Sequence, residues 1–291
     1  MIQNLQIVIL GLALGGVFAL MASGLTLIFG VMGIVNLAHA AFMVLASFIA
    51  FFAFKNLGID PIVSIAVTMP VMFMVGIVVY RLLFARSIAD PHKRAVTVLV
   101  TFALALVIEG TLGFVFSNIY RSTNPSYASD AILFGPFFLP EGQFYAMLLS
   151  MVILIGLWAF LQYTRTGYAI RATMYNRTAA EVVGVNVDRI SMLVFGIGMA
   201  LAGASGSLLS FLFSFYPSKH WEWVAILLSL VVLGGMGSLL GALIGALVLS
   251  VIAAFVSTNF GPTWSPATFY LALFVILLVR PQGLLGKKPE L

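Results

Sequence analysis

Long apolar runs alternate with short polar punctuation along this chain, falling near residues 7–28, 34–54, 61–84, 95–118, 142–163, 190–213, 222–236, 240–260 and 266–280. A helix needs about 20 apolar residues to cross the hydrocarbon of a bilayer, and in lipid its backbone satisfies its own hydrogen bonds. The pattern predicts an all-α polytopic membrane protein of eight or nine transmembrane helices, with residues 1–291 forming one membrane domain. Two places break the regularity. The run 222–236 is short, and Gly30 and Gly33 between the first two runs predict a broken or re-entrant segment.

Composition strengthens this reading. Hydrophobic residues make up 62% of the 291 positions and charged residues 8%, with a mean hydropathy of +1.15, which leaves too little charge to coat a water-facing globule. There is no cysteine, so disulfides, thiol catalysis and cysteine metal sites are excluded. The opening "MIQNLQIVIL" lacks the basic region of a cleavable signal peptide, and the first run is expected to stay as a helix.

The 14 Lys and Arg residues form no stripe of the kind nucleic acid requires, so no nucleic-acid partner is expected. They mark topology instead. Arg81, Arg86, Lys93 and Arg94 sit in one loop, Arg165, Arg171, Arg177 and Arg189 flank another, and Arg280, Lys287 and Lys288 close the chain. Only Lys55, Arg121 and Lys219 fall on the other side. The first set is therefore expected in the cytoplasm, with the N-terminus outside, the C-terminus inside and nine crossings between them.

The stretch 165–190, "RTGYAIRATMYNRTAAEVVGVNVDRI", is too polar to span. Within it, Thr178 to Val183 favour short helical turns ended by Gly184. Such a loop is either a docking knob or a solvated connector. Elsewhere, Gly198, Ala202 and Gly206 recur four apart, as do Gly237, Gly241 and Gly245, and each set predicts a smooth helix face on which backbones approach closely. "LGGMGS" at 233–238 predicts a tight turn or hinge between helices.

Enzyme signatures are sparse. The chain has no HExxH, no EF-hand loop and no GxxxxGK[ST], and the one Gly-Lys pair, Gly286 and Lys287, is followed by Lys288. ATP binding by a P-loop is excluded. "GASG" at 203–206 resembles the nucleophile motif of rhomboid intramembrane proteases, with Ser205 in the nucleophile position. That chemistry needs a histidine base within hydrogen-bond reach. Here His220 follows in a loop beside Pro217 and His39 comes far earlier, so Ser205 reads better as a small packing residue.

The polar residues inside apolar runs hold the remaining chemistry. Glu109, within "FALALVIEGTLGFVF", would cost about 2.5–3.5 kcal/mol if charged at a helix centre, which makes it a candidate functional residue. A secondary transporter would use it for ion coupling; a helix contact is the plainer alternative. Asn36 and His39, one turn apart if helical, either brace neighbouring helices or line a path. Gly30 and Gly33 loosen the backbone at the same depth.

Four ordered motifs resemble one family: "GGVFALMASGLTLIFGVMGIVNLAHAAFMVLASF" at 15–48, "TRTGYAIRATMYNRTAAEVVGVNVDRI" at 164–190, "LGGMGSLLGALIGA" at 233–246 and "RPQGLLG" at 280–286. Together they resemble the permease subunits of branched-chain amino acid ABC transporters, the Liv-type permeases, closer to the LivH-like than to the LivM-like partner. The resemblance implies a bacterial inner-membrane importer subunit for hydrophobic amino acids or related small solutes. It implies a second permease, two cytoplasmic ATPase subunits that bind the ATP, and an extracytoplasmic binding protein. By the same resemblance, 165–190 is the cytoplasmic coupling loop, with Arg177, Ala180, Glu181 and Gly184 in its coupling helix, while Gly30, Gly33, Asn36, His39 and Glu109 belong to the translocation path. Ribose-type sugar permeases are a substrate-level alternative. The family often reads Asn-x-Ala-His-Gly-Glu, whereas this chain has Ala40, Ala41 and, where glycine is frequent, Ala46. An alanine at 41 offers no Coulomb attraction to an ammonium group, so the path is expected to be less demanding of an amino group and open to aliphatic or aromatic carboxylates.

Overall fold

The computed structural model describes residues 2–85, 94–280 and 282–285. Arg86, Lys93, Lys287 and Lys288, used above to read topology, lie outside the described residues. Helices α1 (Ile2–Met32), α2 (His39–Leu57), α3 (Pro61–Val79), α4 (Arg94–Phe116) and α5 (Glu141–Tyr163) are followed by the short α6 (Arg165–Tyr175) and α7 (Arg177–Val182). Then come α8 (Val187–Leu212), α9 (His220–Gly234), α10 (Leu239–Phe260) and α11 (Ser265–Val279). Eight helices among the described residues are long and apolar enough to cross a membrane. The ninth run, α9, has 15 residues and spans only about 22 Å.

The most informative departure concerns the second run. It does not begin as a helix at 34. Gly33 takes φ +65°, a left-handed conformation open to glycine, and its N–H closes on the Phe29 carbonyl at 2.8 Å, which ends α1. The chain then runs non-helically until α2 starts at His39. Asn36 and His39 therefore do not share a helical face. Asn36 sits in the break and His39 opens the helix.

Two features had no counterpart in the apolar pattern. The polar stretch after α5 contains a full helix, α6, besides the short turn expected around 178–183. Between α4 and α5, the strands β1 (Ala131–Phe134) and β2 (Phe137–Pro140) form an antiparallel hairpin with Ala131 opposite Pro140 and Phe134 opposite Phe137. Gln6 near the start of α1 grips this hairpin, donating to the Phe138 carbonyl at 2.6 Å and accepting from the Phe138 N–H at 3.0 Å. The hairpin thus marks one end of the bundle, to which the start of α1 belongs. At the same end, the Tyr127 hydroxyl donates to Asp60 at 2.9 Å, and Arg121 bridges to Phe215. The helices α6 and α7 mark the opposite end.

α8 and α1 form the centre. α8 packs along α3, α2 and α1, and α1 packs along α10. Small residues permit this. A β-carbon on Gly206 would run into the Met43 carbonyl of α2, and one on Gly198 would lie 2.6 Å from Ile28 of α1. One on Gly241 would run into the Gly234 carbonyl, and one on Gly245 would come within 3.0 Å of Leu233. Gly237 does not continue that face. It lies in the turn before α10 with φ +85°, facing the Gly30 α-carbon, because "GGMGS" makes the tight connection between α9 and α10. The polar glue is equally short-ranged: Ser47 donates to the Gly206 carbonyl at 2.7 Å, and Thr68 meets Ser207 at 2.8 Å.

Candidate functional site

The break at 33–38 is held from three sides. The Asn36 side-chain oxygen accepts from the Ala38 N–H at 3.2 Å, and its carbonyl accepts from the His39 N–H, also at 3.2 Å. The Leu37 N–H donates to the Thr101 hydroxyl of α4 at 3.2 Å. The Asn36 amide points its Nδ2 at the Met199 sulfur, 3.9 Å away. Met199 lies halfway along α8, so non-helical backbone and a carboxamide sit at mid-depth in the bundle. Backbone of this kind survives at such depth only where protein encloses it or a cavity receives it.

His39 lies at the same level. A β-carbon on Gly24 would be 2.8 Å from both the His39 ring and the Gly198 carbonyl. The ring is 1% exposed, and the Met21 carbonyl faces it without meeting hydrogen-bond geometry, so neither ring nitrogen is paired. Leaving a buried imidazole unpaired costs free energy.

The structure thus brings Asn36 and His39 together and adds Thr101 and Met199, two residues absent from the sequence reading. Thr101 had a faint signal, a hydroxyl inside an apolar run; Met199 had none. Gly30 lies elsewhere, at a junction toward the α6 end. A β-carbon there would run into the Met174 methyl of α6 and lie 3.3 Å from the Gly237 α-carbon. Glu109 is about 12 Å further along α4 than Thr101, toward the hairpin end. Its Oε2 accepts from the Trp221 indole at 3.0 Å and lies 3.8 Å from His220 Nε2.

The polar end has its own geometry. Asn176 caps α7, its side chain accepting from the Ala179 N–H at 2.9 Å. Arg177 pairs with Glu181 at 3.3 Å. Gly184, at φ +88°, and the Val185 N–H bonded to the Ala180 carbonyl at 3.0 Å turn the chain back toward α8. Ala180 packs inward at 2% exposure, while Val182 and Val183 stand out at 81% and 77%. Two bare valines thus stand on a capped turn outside the apolar spans.

Ser205 is buried on α8, its hydroxyl unpaired, and no histidine nitrogen bonds to it among the described residues. The arrangement that nucleophilic catalysis needs is not assembled there.

An all-α bundle with eight helices long and apolar enough to cross a membrane among the described residues belongs to the class of polytopic membrane proteins. Residues 7–280 match the family described as branched-chain amino acid transport system / permease component, and the chain belongs to that family. Among its relatives, the permease BraD of the high-affinity branched-chain amino acid transport system of Pseudomonas aeruginosa is 27% identical, over 98% of this chain and 96% of that one. The probable branched-chain amino acid permease LivH of Methanocaldococcus jannaschii is 26% identical over 92% and 88%. The ribose import permease RbsC of Escherichia coli is 26% identical over 75% and 65%. PsaBC from Streptococcus pneumoniae, solved in complex with Fab, shares the fold at a TM-score of 0.50 with 14% identity, over 94% of this chain and 91% of that one.

Proposed function

We propose that the chain is the membrane-spanning permease subunit of an ATP-driven importer of branched-chain or other hydrophobic amino acids, or of related small solutes including aliphatic and aromatic carboxylates. The observation that carries this reading is the family match across 7–280. The chain spans nine times as one domain with its N-terminus outside and its C-terminus in the cytoplasm, supported by the crowding of Lys and Arg into one set of loops. It has no ATPase site of its own. Two ATPase subunits dock at α7, where Arg177, Ala180, Glu181 and Gly184 shape the turn that presents Val182 and Val183. A second, LivM-like permease completes a heterodimer, and an extracytoplasmic binding protein delivers the solute to the hairpin end.

The path runs past Glu109 to the break at Gly33, Asn36 and His39, with Gly30 where the break meets the docking region. ATP drives the cycle only if nucleotide and solute bind the outward- and inward-open states with different affinity. Met174 of α6 resting on Gly30 offers a direct mechanical link. When α7 moves with the ATPases, α6 bears on the end of α1 beside the break.

Affinity purification of the tagged chain from mild-detergent membranes tests the reading. Stoichiometric ATPase subunits and a second permease are expected. Repeated purification of the chain alone in a folded, active form overturns it and turns attention to ion-coupled transport.

A further inference from the structure

Glu109, Trp221 and His220 make a cluster that a helix contact alone does not explain. The His220 ring is buried at 1% exposure, and Nδ1 lies 3.0 Å from the Pro217 carbonyl. A carbonyl only accepts, so Nδ1 carries the proton, and in the neutral ring Nε2 is a bare lone pair. That lone pair lies 3.8 Å from Glu109 Oε2, and it has no donor among the described residues. The Trp221 N–H also goes to Oε2, leaving Oε1 with no partner described. The single Trp221 donor therefore leaves two acceptors, His220 Nε2 and Glu109 Oε1, without a donor among the described residues.

The surroundings narrow what fits. Glu109 retains 23% exposure on α4 between the buried Ala105 and Leu112 and the exposed apolar side chains of Phe102 and Leu106. A carboxylate turned toward lipid there would be costly. The Phe102 and Trp221 rings lie 5.5 Å apart, centroid to centroid, beside it, and their faces attract cations.

Resting on the importer reading, we infer that Glu109 binds the ammonium group of the transported solute. Oε1 is the receiving atom, the Trp221 indole orients the carboxylate, and the aromatic and aliphatic side chains of the α4 face take the apolar part of the solute. This narrows the solutes proposed above to amino-bearing ones and sets aside the amine-free carboxylates expected from Ala41, because α4 supplies the negative charge that position 41 lacks.

Two measurements test it. In membranes containing the assembled transporter, carbodiimide modification of Glu109 is followed by mass spectrometry as loss of its unmodified peptide with isopentylammonium, isocaproate or isopentanol present, normalised to the exposed Asp130 in the same sample because isocaproate consumes carbodiimide and the free amine couples to activated carboxyls. Protection by roughly tenfold is expected from isopentylammonium alone, as a charge-assisted hydrogen bond would give. Equal rates with all three probes, or protection by isocaproate, overturn the inference.

The second measurement is leucine uptake by the transporter reconstituted with its ATPase and binding-protein partners. Glu109→Gln keeps an acceptor for Trp221 and removes the charge; a fall of roughly ten- to a hundredfold is expected, with Glu109→Asp recovering part of it. Uptake by Glu109→Gln equal to the parent overturns the ammonium site and leaves the importer reading intact. If the unsubstituted complex moves no leucine, the importer reading fails, and the carbodiimide experiment still decides whether Glu109 receives an ammonium.

Discussion

Asn36 shows how little a single polar residue reveals without its setting. In the sequence it is an amide inside an apolar run, four positions from the likewise conspicuous His39 if both ends are counted. In the folded chain its amide, its carbonyl and the neighbouring Leu37 N–H are each committed to holding a broken backbone against α4 and α8. Asn36→Ala removes the acceptor for the Ala38 N–H and leaves a buried donor unpaired, at about 1–3 kcal/mol. His39→Ala deletes a ring that makes no hydrogen bond in this state. Both substitutions are expected to lower solute uptake more than they lower assembly, and His39→Ala more selectively so. Uptake per unit of assembled complex, measured by transport and by co-purification of partners, separates the two effects; normal uptake by both variants removes these residues from the path. Asn36, His39 and Glu109 were all visible as polar groups in apolar runs. Their partners were not, because Trp221 is 112 positions from Glu109 and Met199 is 163 from Asn36, and no local pattern encodes contacts at that separation.

At the scale of elements, helix ends and helix faces behave differently. The ends obey local chemistry. Asn176, Asn186 and Ser238 each cap the helix that follows, and glycines at positive φ close α1 and follow α2 and α7. Asn176→Ala should weaken α7 by about 1 kcal/mol, loosening the turn that presents Val182 and Val183. The expected result is ATP hydrolysis that no longer tracks solute delivery, read as the ratio of ATP hydrolysed to solute imported, with membrane insertion unchanged. The faces depend on what lies opposite. Gly206→Val would drive a branched side chain into the Met43 backbone, and overpacking of this kind costs about 1–3 kcal/mol or more. A lower midpoint of thermal unfolding in detergent, followed by size-exclusion fluorescence, is expected. An unchanged midpoint would mean that α2 and α8 can separate without penalty. The four-residue glycine spacing announced close approach but not the partner, and it overextended by one member: Gly237 belongs to a turn, since its positive φ starts α10 two residues later.

For the whole molecule, orientation is the property most open to a direct test, because the chain carries no cysteine and any introduced thiol is the sole target. Ser129→Cys, beside the hairpin, is expected to react with a membrane-impermeant maleimide in intact cells. Val183→Cys, on the docking tip, is expected to react only after permeabilisation. The reverse pattern would invert the proposed topology and move the ATPase contact to the hairpin end.

Several properties of this protein were determined by its sequence alone: membrane residence, the positions of its apolar runs, the polar loop between α5 and α8, and the family to which its motifs pointed. Hydrophobic length, capping residues and charge asymmetry are local or additive quantities, so they survive being read one residue at a time. Only the tertiary structure decided that the second run begins with non-helical backbone, that Asn36 meets the middle of α8, that Gly30 rests against Met174, and that Glu109 accepts from Trp221 beside His220. These depend on which helix faces which. That choice is made by close packing over the whole bundle, where one left-handed glycine at position 33 ends α1 and sets where α2 begins.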